Sequence, residues 1–302
     1  MSHTNHLGQP IGDPVPGWTP PPFPERRVLE GRYGRLEPLT VGHAGDLFEA
    51  FSADETGRNW TWRREEPFPT LAALTEWIAT LEADPTRVWH AYINRKTGKA
   101  LGNGALMSIS PQEGSIEVGS IMFSPAMQGT RLGTEAMCLV IDYAFSLGYR
   151  RMEWTCDPLN RASMAAAARL GFRFEAHFRQ AMVSKGRNRD KAVFSIIDRE
   201  WPALKARAEA WLDPANFDNA GRQVARIAPL DPAPDLETPF ELNPAGDPVG
   251  LPVAGWTLPP VPPRAPMEGR YCRLEPLAET HASDLFEALS ADAEGRVFTY
   301  MP

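Results

Sequence analysis

Apolar residues recur at helical spacing in several stretches of this chain. In "TLAALTEWIATLEA" (70–83), Leu71, Leu74, Trp77, Ile78 and Leu81 fall on one face. Downstream, Leu132, Ala136, Leu139, Val140, Tyr143, Ala144 and Leu147 form an unbroken stripe. That spacing predicts a helix of about four turns with one face buried against a sheet. "HAGDLFEAFSA" (43–53) and "NRASMAAAARLGF" (160–172) predict shorter helices, the second stopped by a glycine. Alternating or continuous apolar runs at 31–39, 88–95, 100–110, 114–124 and 149–157 predict strands, the middle three as a meander. Residues 173–198 predict a hairpin turning at Gly186 to Arg189. Inside 114–124 the parity slips: Ile116 and Val118 share one phase, Ile121 and Phe123 the other. A one-residue slip swaps faces, so a bulge is expected there. The pattern as a whole is α+β.

Proline divides the chain. Residues 1–28 read as a proline-rich arm and 29–201 as the folded body. Residues 202–254 read as a helix end and a proline-rich linker, because proline favours extended geometry and lacks a backbone donor. A repeat follows. "GWTPPPFPERRVLEGRYGRLEPLTVGHAGDLFEAFSADETGR" returns as "GWTLPPVPPRAPMEGRYCRLEPLAETHASDLFEALSADAEGR". The offset is 238 throughout, as from Gly31 to Gly269 or from Arg58 to Arg296. Residues 255–302 thus read as a partial second copy of the domain start, without the later motifs. Its apolar set is Leu274, Leu277, Leu285, Phe286 and Leu289. So short a piece rarely buries such a set alone. The favoured expectation is a truncated tandem, with removal of 240–302 harmless to activity. Docking on the body and association between chains are the alternatives.

Composition narrows the partners. The net charge of -7 disfavours nucleic acid and anionic membranes. No apolar run is long enough to span a bilayer, and the N-terminus lacks the apolar core of a signal peptide, so a cytoplasmic protein is expected. Cys138, Cys156 and Cys272 have no paired or metal-like spacing, and no metal is expected.

The candidate chemistry lies at the start of the long helix. "QGTRLGTEA" (128–136) puts Gly129, Arg131 and Gly133 at the helix entrance. First-turn amides lack internal partners and carry the positive end of the helix dipole. With glycines that admit close approach, this is a site for an anion, most naturally a phosphate. An ordinary strand-to-helix turn would show the same residues.

The order of elements, "QGTRLGTEA" and "LNRASMAAAARLGF" (159–172) together resemble the GNAT acetyltransferase family over about 30–200. "EVGSIMFSP" and "KGRNRD" are most similar to the ribosomal-protein N-terminal acetyltransferase-like group. The resemblance implies a GNAT fold: a central, mixed, mostly antiparallel twisted sheet flanked by helices. It also implies acetyl-CoA as co-substrate and acetyl transfer to a primary amine, on a protein N-terminus or a small molecule. Gln128, Gly129, Thr130, Arg131, Gly133 and Thr134 would hold the pyrophosphate, with Arg131 standing where the family has a glycine. Met122, Phe123, Asn160 and Ser163 would contact the rest of the coenzyme. Glu117 would be the general base and the Ile121 or Met122 amide the oxyanion donor.

The family's general-acid tyrosine falls at Ala167, so Ser163 or water is left for that role. Glu117 as a solvent-facing strand residue, and Asn160 as a plain helix cap, remain open. So does a non-catalytic coenzyme A-binding or association module, and so does a homodimer. Trp60, Trp62, Glu65 and Glu66 read either as an acceptor pocket for an amine or as a packed loop, while His43 and His90 read as structural.

Overall fold

Strand and helix periodicities alternate along the chain, and the elements fall where they predict. The computed structural model describes residues 3–219 and 221–301. Met1, Ser2, Ala220 and Pro302, which belong to the expected arm, linker and second copy, lie outside the described residues. A short hairpin, β1 (His3–Thr4) and β2 (Pro10–Ile11), comes first. The body follows as β3 (Leu29–Glu30), β4 (Gly34–Pro38), α1 (Ala44–Ser52), α2 (Leu71–Glu82), β5 (Val88–Asn94), β6 (Ala100–Ser110) and β7 (Ser115–Phe123). It continues through α3 (Arg131–Ser146), β8 (Arg151–Cys156), α4 (Arg161–Leu170), β9 (Arg173–Ser184), β10 (Arg187–Ile197) and α5 (Trp201–Leu212). A second hairpin, β11 (Phe240–Leu242) and β12 (Pro248–Gly250), precedes β13 (Met267–Glu268), β14 (Arg273–Leu274) and α6 (Ala282–Ser290).

Eight strands form one sheet in the order β3-β4-β5-β6-β7-β8-β10-β9. Only β7 and β8 run parallel, and a parallel neighbour needs a crossover, which α3 supplies. Side chains alternate between two cores. Val88 and Tyr92 of β5 join Leu132, Ala136 and Val140 of α3 on one face. Trp89, Ala91 and Ile93 join Leu47 and Phe51 of α1 and Leu74 and Ile78 of α2 on the other. In β7 the alternation breaks as its parity predicts. Ile116 and Val118 belong to the α3 side, whereas Met122 belongs to the α1–α2 side. The pairing with β6 skips a residue between Ala105–Gly119 and Asn103–Met122.

Several expected boundaries move. The body does not end at 201, because Trp201 and Leu204 of α5 close the α3 core. The arm divides: Pro20–Arg27 lies on the body, where Pro22 O accepts from Tyr149 Oη at 3.2 Å, and residues 3–19 belong to a different compact unit. Residues 240–253 are not bare linker, since Leu251 O accepts from Asn188 N and Gly186 O from Val253 N, both at 2.9 Å. Removing 240–302 would strip this docked element, whereas removal from Trp256 onward spares it, because the compact unit of the body runs from Pro20 to Gly255. The β9–β10 turn is at Lys185–Gly186, slightly earlier than expected.

The second copy repeats the local structure of the first without its burial. Leu36, Leu39 and Leu47 are buried, but Leu274, Leu277 and Leu285 at the same repeat positions are exposed. His43 and His281 make matching contacts: each Nδ1 accepts a backbone amide, from Thr40 at 3.1 Å and from Ala278 at 3.0 Å. Each Nε2 faces a carboxylate, Glu37 or Glu275. Both are structural.

His90 sits between Pro38 and Gly104 in the sheet and is 1 % exposed. Burial pushes its pKa down to about 4, against a weaker opposing pull from the Arg27 backbone. The unfolded chain binds this proton near pH 6.5 and the folded one does not. Its contribution is therefore complete above pH 6.5 and is lost as pH falls from 6.5 to 4. His90→Leu is expected to flatten this part of the acid limb, worth up to about 3 kcal/mol. Urea melts at pH 7 and pH 4.5 measure it, and an unchanged slope refutes it.

Candidate functional site

The bulge in β7 opens the sheet where chemistry was expected. The parallel β7–β8 pairing covers only Ser115, Ile116 and Glu117 against Arg151, Met152 and Glu153. Beyond Glu117 the two strands part. Ser120, inside the bulge, takes φ 51°, a left-handed conformation that few non-glycine residues adopt. Such strain persists only where the surrounding structure enforces it. Arg63 holds the bulge: its Nη1 donates to Ser120 O and Ile121 O, both at 3.3 Å, while its Nε pairs with Glu65 at 3.2 Å. Burial lowers the Arg63 pKa, with Glu65 opposing.

Glu117 stands at the mouth of this split and is 7 % exposed, so it is not a solvent-facing strand residue. Its Oε1 accepts from Thr155 Oγ1 at 2.6 Å and its Oε2 from Ser108 Oγ at 2.9 Å. Hydroxyl donors of this kind orient a carboxylate and leave lone pairs for a further proton. Tyr92 Oη lies across the bulge, buried and without a hydrogen-bond partner. A Cβ on Gly104 would fall 2.0 Å from that hydroxyl and 3.5 Å from the Ile121 Cα, which places the two close together. Burial raises the Tyr92 pKa. Sequence reading missed Tyr92, whose apolar-strand position resembles any core tyrosine.

The helix entrance forms as its residues dictate. Thr130 caps α3 by accepting from Gly133 N at 3.3 Å, and Gly129 turns the chain at φ 68°. Arg131 and Leu132 open the helix, so their amides have no earlier turn to donate to. A cleft of about 440 Å³ lies here, lined by Arg32, Arg95, Lys96, Thr130 and Arg131 among others. Four of these are cationic, which suits a polyanion. The Arg131 guanidinium is gripped between Tyr33 and Phe217, 4.7 and 4.5 Å from their ring centres. Gln128 reaches sideways, donating to Asn59 Oδ1 at 2.6 Å and Phe123 O at 3.3 Å. Thr134 turns inward, where its hydroxyl accepts from Arg169 at 3.2 Å, so it lies away from the cleft.

Asn160 and Ser163 have occupied side chains. Asn160 caps α4 by accepting from Ser163 N at 3.0 Å, and Ser163 Oγ accepts from Trp154 Nε1 at 3.0 Å. Trp154 belongs to the α3-side core, whereas its neighbour Thr155 reaches Glu117. The structure therefore does not join Ser163 to Glu117. Burial pushes the Cys156 thiol up to about 12, which removes it as a nucleophile.

A second cleft, about 450 Å³, is lined by Trp60, Thr61, Trp62, Glu66, Asp157, Lys185, Arg187 and Arg189 with part of the β11–β12 hairpin. The two acids read from sequence are neutralised locally. Arg63 pairs with Glu65, and Lys185 pairs with Glu66 at 3.0 Å. Arg189 faces Asp157 at 3.7 Å, and burial lowers the pKa of Arg189 and raises that of Asp157. Arg187 pairs with Glu241, so each of these three cations has a carboxylate partner. Lys185, Arg187 and Arg189 were missed because they lie in a hairpin whose sequence signals only a turn. Among the described residues no group of side chains could hold a metal ion, and no helix is long and apolar enough to cross a membrane.

Residues 35–173, from β4 to the start of β9, match the family model described as "Acetyltransferase (GNAT) domain". Among solved structures, a GCN5-related N-acetyltransferase from Brucella melitensis is 46% identical with a TM-score of 0.69. That likeness covers 70% of this chain and 97% of the other. A probable acetyltransferase of the GNAT family from Chromobacterium violaceum is 39% identical with a TM-score of 0.60, covering 64% and 97%. The uncharacterised N-acetyltransferase YoaA of Bacillus subtilis is 25% identical over 171 residues, which is 56% of this chain and 96% of that protein.

Proposed function

Because the chain belongs to the GNAT acetyltransferase family, we propose that it moves an acetyl group from acetyl-CoA to a primary amine by direct attack in a ternary complex. The observation that carries this reading is the bulged β7, which ends its pairing with β8 at Glu117 and exposes a gap beside it. The cationic cleft at the start of α3 supports binding of the coenzyme's phosphates, with Arg131, Arg32, Arg95 and Lys96 as counter-charges. The pantetheine and thioester would lie in the gap between β7 and β8.

An ammonium with pKa near ~8 to 10 must lose its proton before it can attack. The Glu117 carboxylate, directly or through one water, takes that proton. The amine nitrogen then adds to the thioester carbonyl, and the backbone amide at Ile121 or Met122 stabilises the oxyanion. Collapse breaks the C–S bond and releases the coenzyme thiolate, and the surplus proton on the nitrogen passes to that thiolate or to solvent. A thiol has pKa near ~8.5, so the thiolate leaves without a strong acid. Tyr92 Oη, close to the bulge and otherwise unpartnered, is better placed than Ser163 to donate to it. The acceptor would enter through the second cleft.

Thiol release from acetyl-CoA across an amine panel is the direct test. Release with at least one amine is expected, and absence of release with every amine would favour the non-catalytic module. Binding has its own readout. Acetyl-CoA at 100-fold its dissociation constant should stabilise the fold by about 2.7 kcal/mol. No thermal shift with acetyl-CoA or coenzyme A would refute the cleft as the coenzyme site, and Gly133→Asp should abolish the shift.

A further inference from the structure

The repeat runs upstream of the shared Gly-Trp. At the same offset Asn5 matches Asn243, Gly8 matches Gly246, Pro10 matches Pro248 and Gly12 matches Gly250. Gln9 stands where the other segment has Asp247. The two segments fold alike. Asn5 N donates to Gln9 O and Asn243 N to Asp247 O, both at 2.9 Å. The asparagine side chain accepts from the fourth amide on, from Gln9 N at 3.0 Å and from Asp247 N at 2.9 Å. Gly8 and Gly246 take φ 73° and 79°. Residues 3–17 and 241–255 are two editions of one arm, each leading into one copy of the domain start.

Their seats are also two editions of one seat. On the body, Thr61 Oγ1 donates to Asp247 at 3.0 Å, Asn243 Nδ2 donates to Thr61 Oγ1 at 3.3 Å, and Trp62 Nε1 donates to Pro248 O at 3.0 Å. In the other unit, Thr299 Oγ1 donates to Gln9 at 2.7 Å, Asn5 Nδ2 donates to Thr299 Oγ1 at 3.1 Å, and Tyr300 Oη donates to Pro10 O at 3.0 Å. Thr299 and Tyr300 occupy the repeat positions of Thr61 and Trp62. So the arm that leads into the second copy sits on the first copy, and the arm that leads into the first copy sits on the second.

One glycine shows that the first arm suits the body as well. A Cβ on Gly250 would fall 1.8 Å from Asn188 O, so only glycine lets that arm lie along the Gly186–Asn188 turn. Gly12 has nothing within 4 Å where it now lies, yet it keeps the glycine that the Asn188 seat demands. We propose that the seat formed by Thr61, Trp62 and the Gly186–Asn188 turn accepts the residue 3–17 arm as its alternative occupant, so that the two arms exchange on it. Asp247 favours the present occupant, because it pairs with Arg58 at 2.7 Å and Gln9 would not. Asn243, Pro244, Val249 and Gly250 line the second cleft. Exchange would put Asn5, His6, Ile11 and Gly12 in that wall, and with them a titratable imidazole. The effect on acceptor choice rests on the acceptor reading of that cleft, whereas the exchange itself does not.

Thiol cross-linking in the full chain, in a Cys272→Ser background, tests the exchange whatever the cleft binds. With Thr61→Cys and Gln9→Cys, a short bismaleimide should bridge the pair once Gly250→Val has evicted the resident arm. Peptide mapping identifies the bridge. The mass of the product tells whether the arm came from the same chain or a second copy, and both results uphold the proposal. The gentler Asp247→Gln leaves the hairpin backbone alone and serves if Gly250→Val impairs folding. It should raise the 9–61 yield about tenfold, the worth of one partly screened charge-assisted pair. If 9 and 61 stay unbridged in both variants while Gln9→Cys with Thr299→Cys bridges normally, the exchange is overturned.

Discussion

Replacing Glu117 by glutamine is expected to lower acetyl-transfer turnover by ~100 to 10,000-fold while coenzyme binding and the melting temperature change little. A positioned side chain that takes a proton in the transition state contributes that range. Glutamine keeps the size of Glu117 and can still accept from Thr155 or Ser108, so the fold loses at most one hydrogen bond, about 1 kcal/mol. The loss of rate should shrink as pH approaches the amine pKa, near ~8 to 10, because free amine then needs no base. The decisive measurement is kcat/KM against pH for both forms with one acceptor. Equal turnover at pH 7 would show that another group or solvent removes the proton, and would leave Glu117 as a brace between β6 and β8.

The second large effect is on stability. Glu135 is the fifth residue of α3, just beyond its first turn. It faces the β3–β4 turn. Its Oε1 accepts from Arg32 N at 2.7 Å, and its Oε2 accepts from Tyr33 N at 2.7 Å and Gly34 N at 2.9 Å. A Cβ on Gly31 would fall 2.5 Å from Oε2, so the glycine makes room for the carboxylate. Glu135→Ala strands three amides, each costing about 1 to 3 kcal/mol if water cannot reach it. The losses are not additive, and a total of about 3 to 5 kcal/mol is expected, a large share of the ~5 to 15 kcal/mol of a typical domain. In a domain of this size that lowers Tm by roughly 10 °C. Glu135→Gln should recover part of it. A fall below about 1 kcal/mol for Glu135→Ala would mean that water replaces the carboxylate.

These two glutamates mark what the sequence makes legible. Glu117 was singled out by the family resemblance, whereas the bulge beside it was legible locally, because the apolar phase of β7 slips after Val118. Everything written within one element or between neighbours was readable, including the α3 stripe, the Gly-rich entrance and the 238-residue repeat. Glu135 was visible as a carboxylate, but its partners lie about a hundred residues upstream, and no spacing rule joins a helix residue to a turn so distant. Glu65 and Glu66 misled for the same reason. They sit side by side in sequence as bare acids, while Lys185 arrives from a hairpin far downstream to cancel one of them. The trailing hairpin failed as a prediction because proline-rich composition describes a chain without periodicity, and its docking depends on single contacts such as Trp62 with Pro248.

The clamp on Arg131 ties the cationic cleft at the start of α3 to a part of the chain outside the family match. Phe217, one jaw of that clamp, follows α5 and stacks edge-on against Trp211 at 5.3 Å. Tyr33, the other jaw, is fixed by its own hydroxyl, which donates to Leu212 O at 2.6 Å. A polyanion settling on Arg131 would thus also fasten residues 211–217. Linkage makes that coupling reciprocal in free energy. Occupancy of the cleft should slow proteolytic nicking around Phe217, and a chain nicked there should bind the polyanion more weakly. The segment beyond α5 would then report, as a cleavage rate, whether the cleft is occupied.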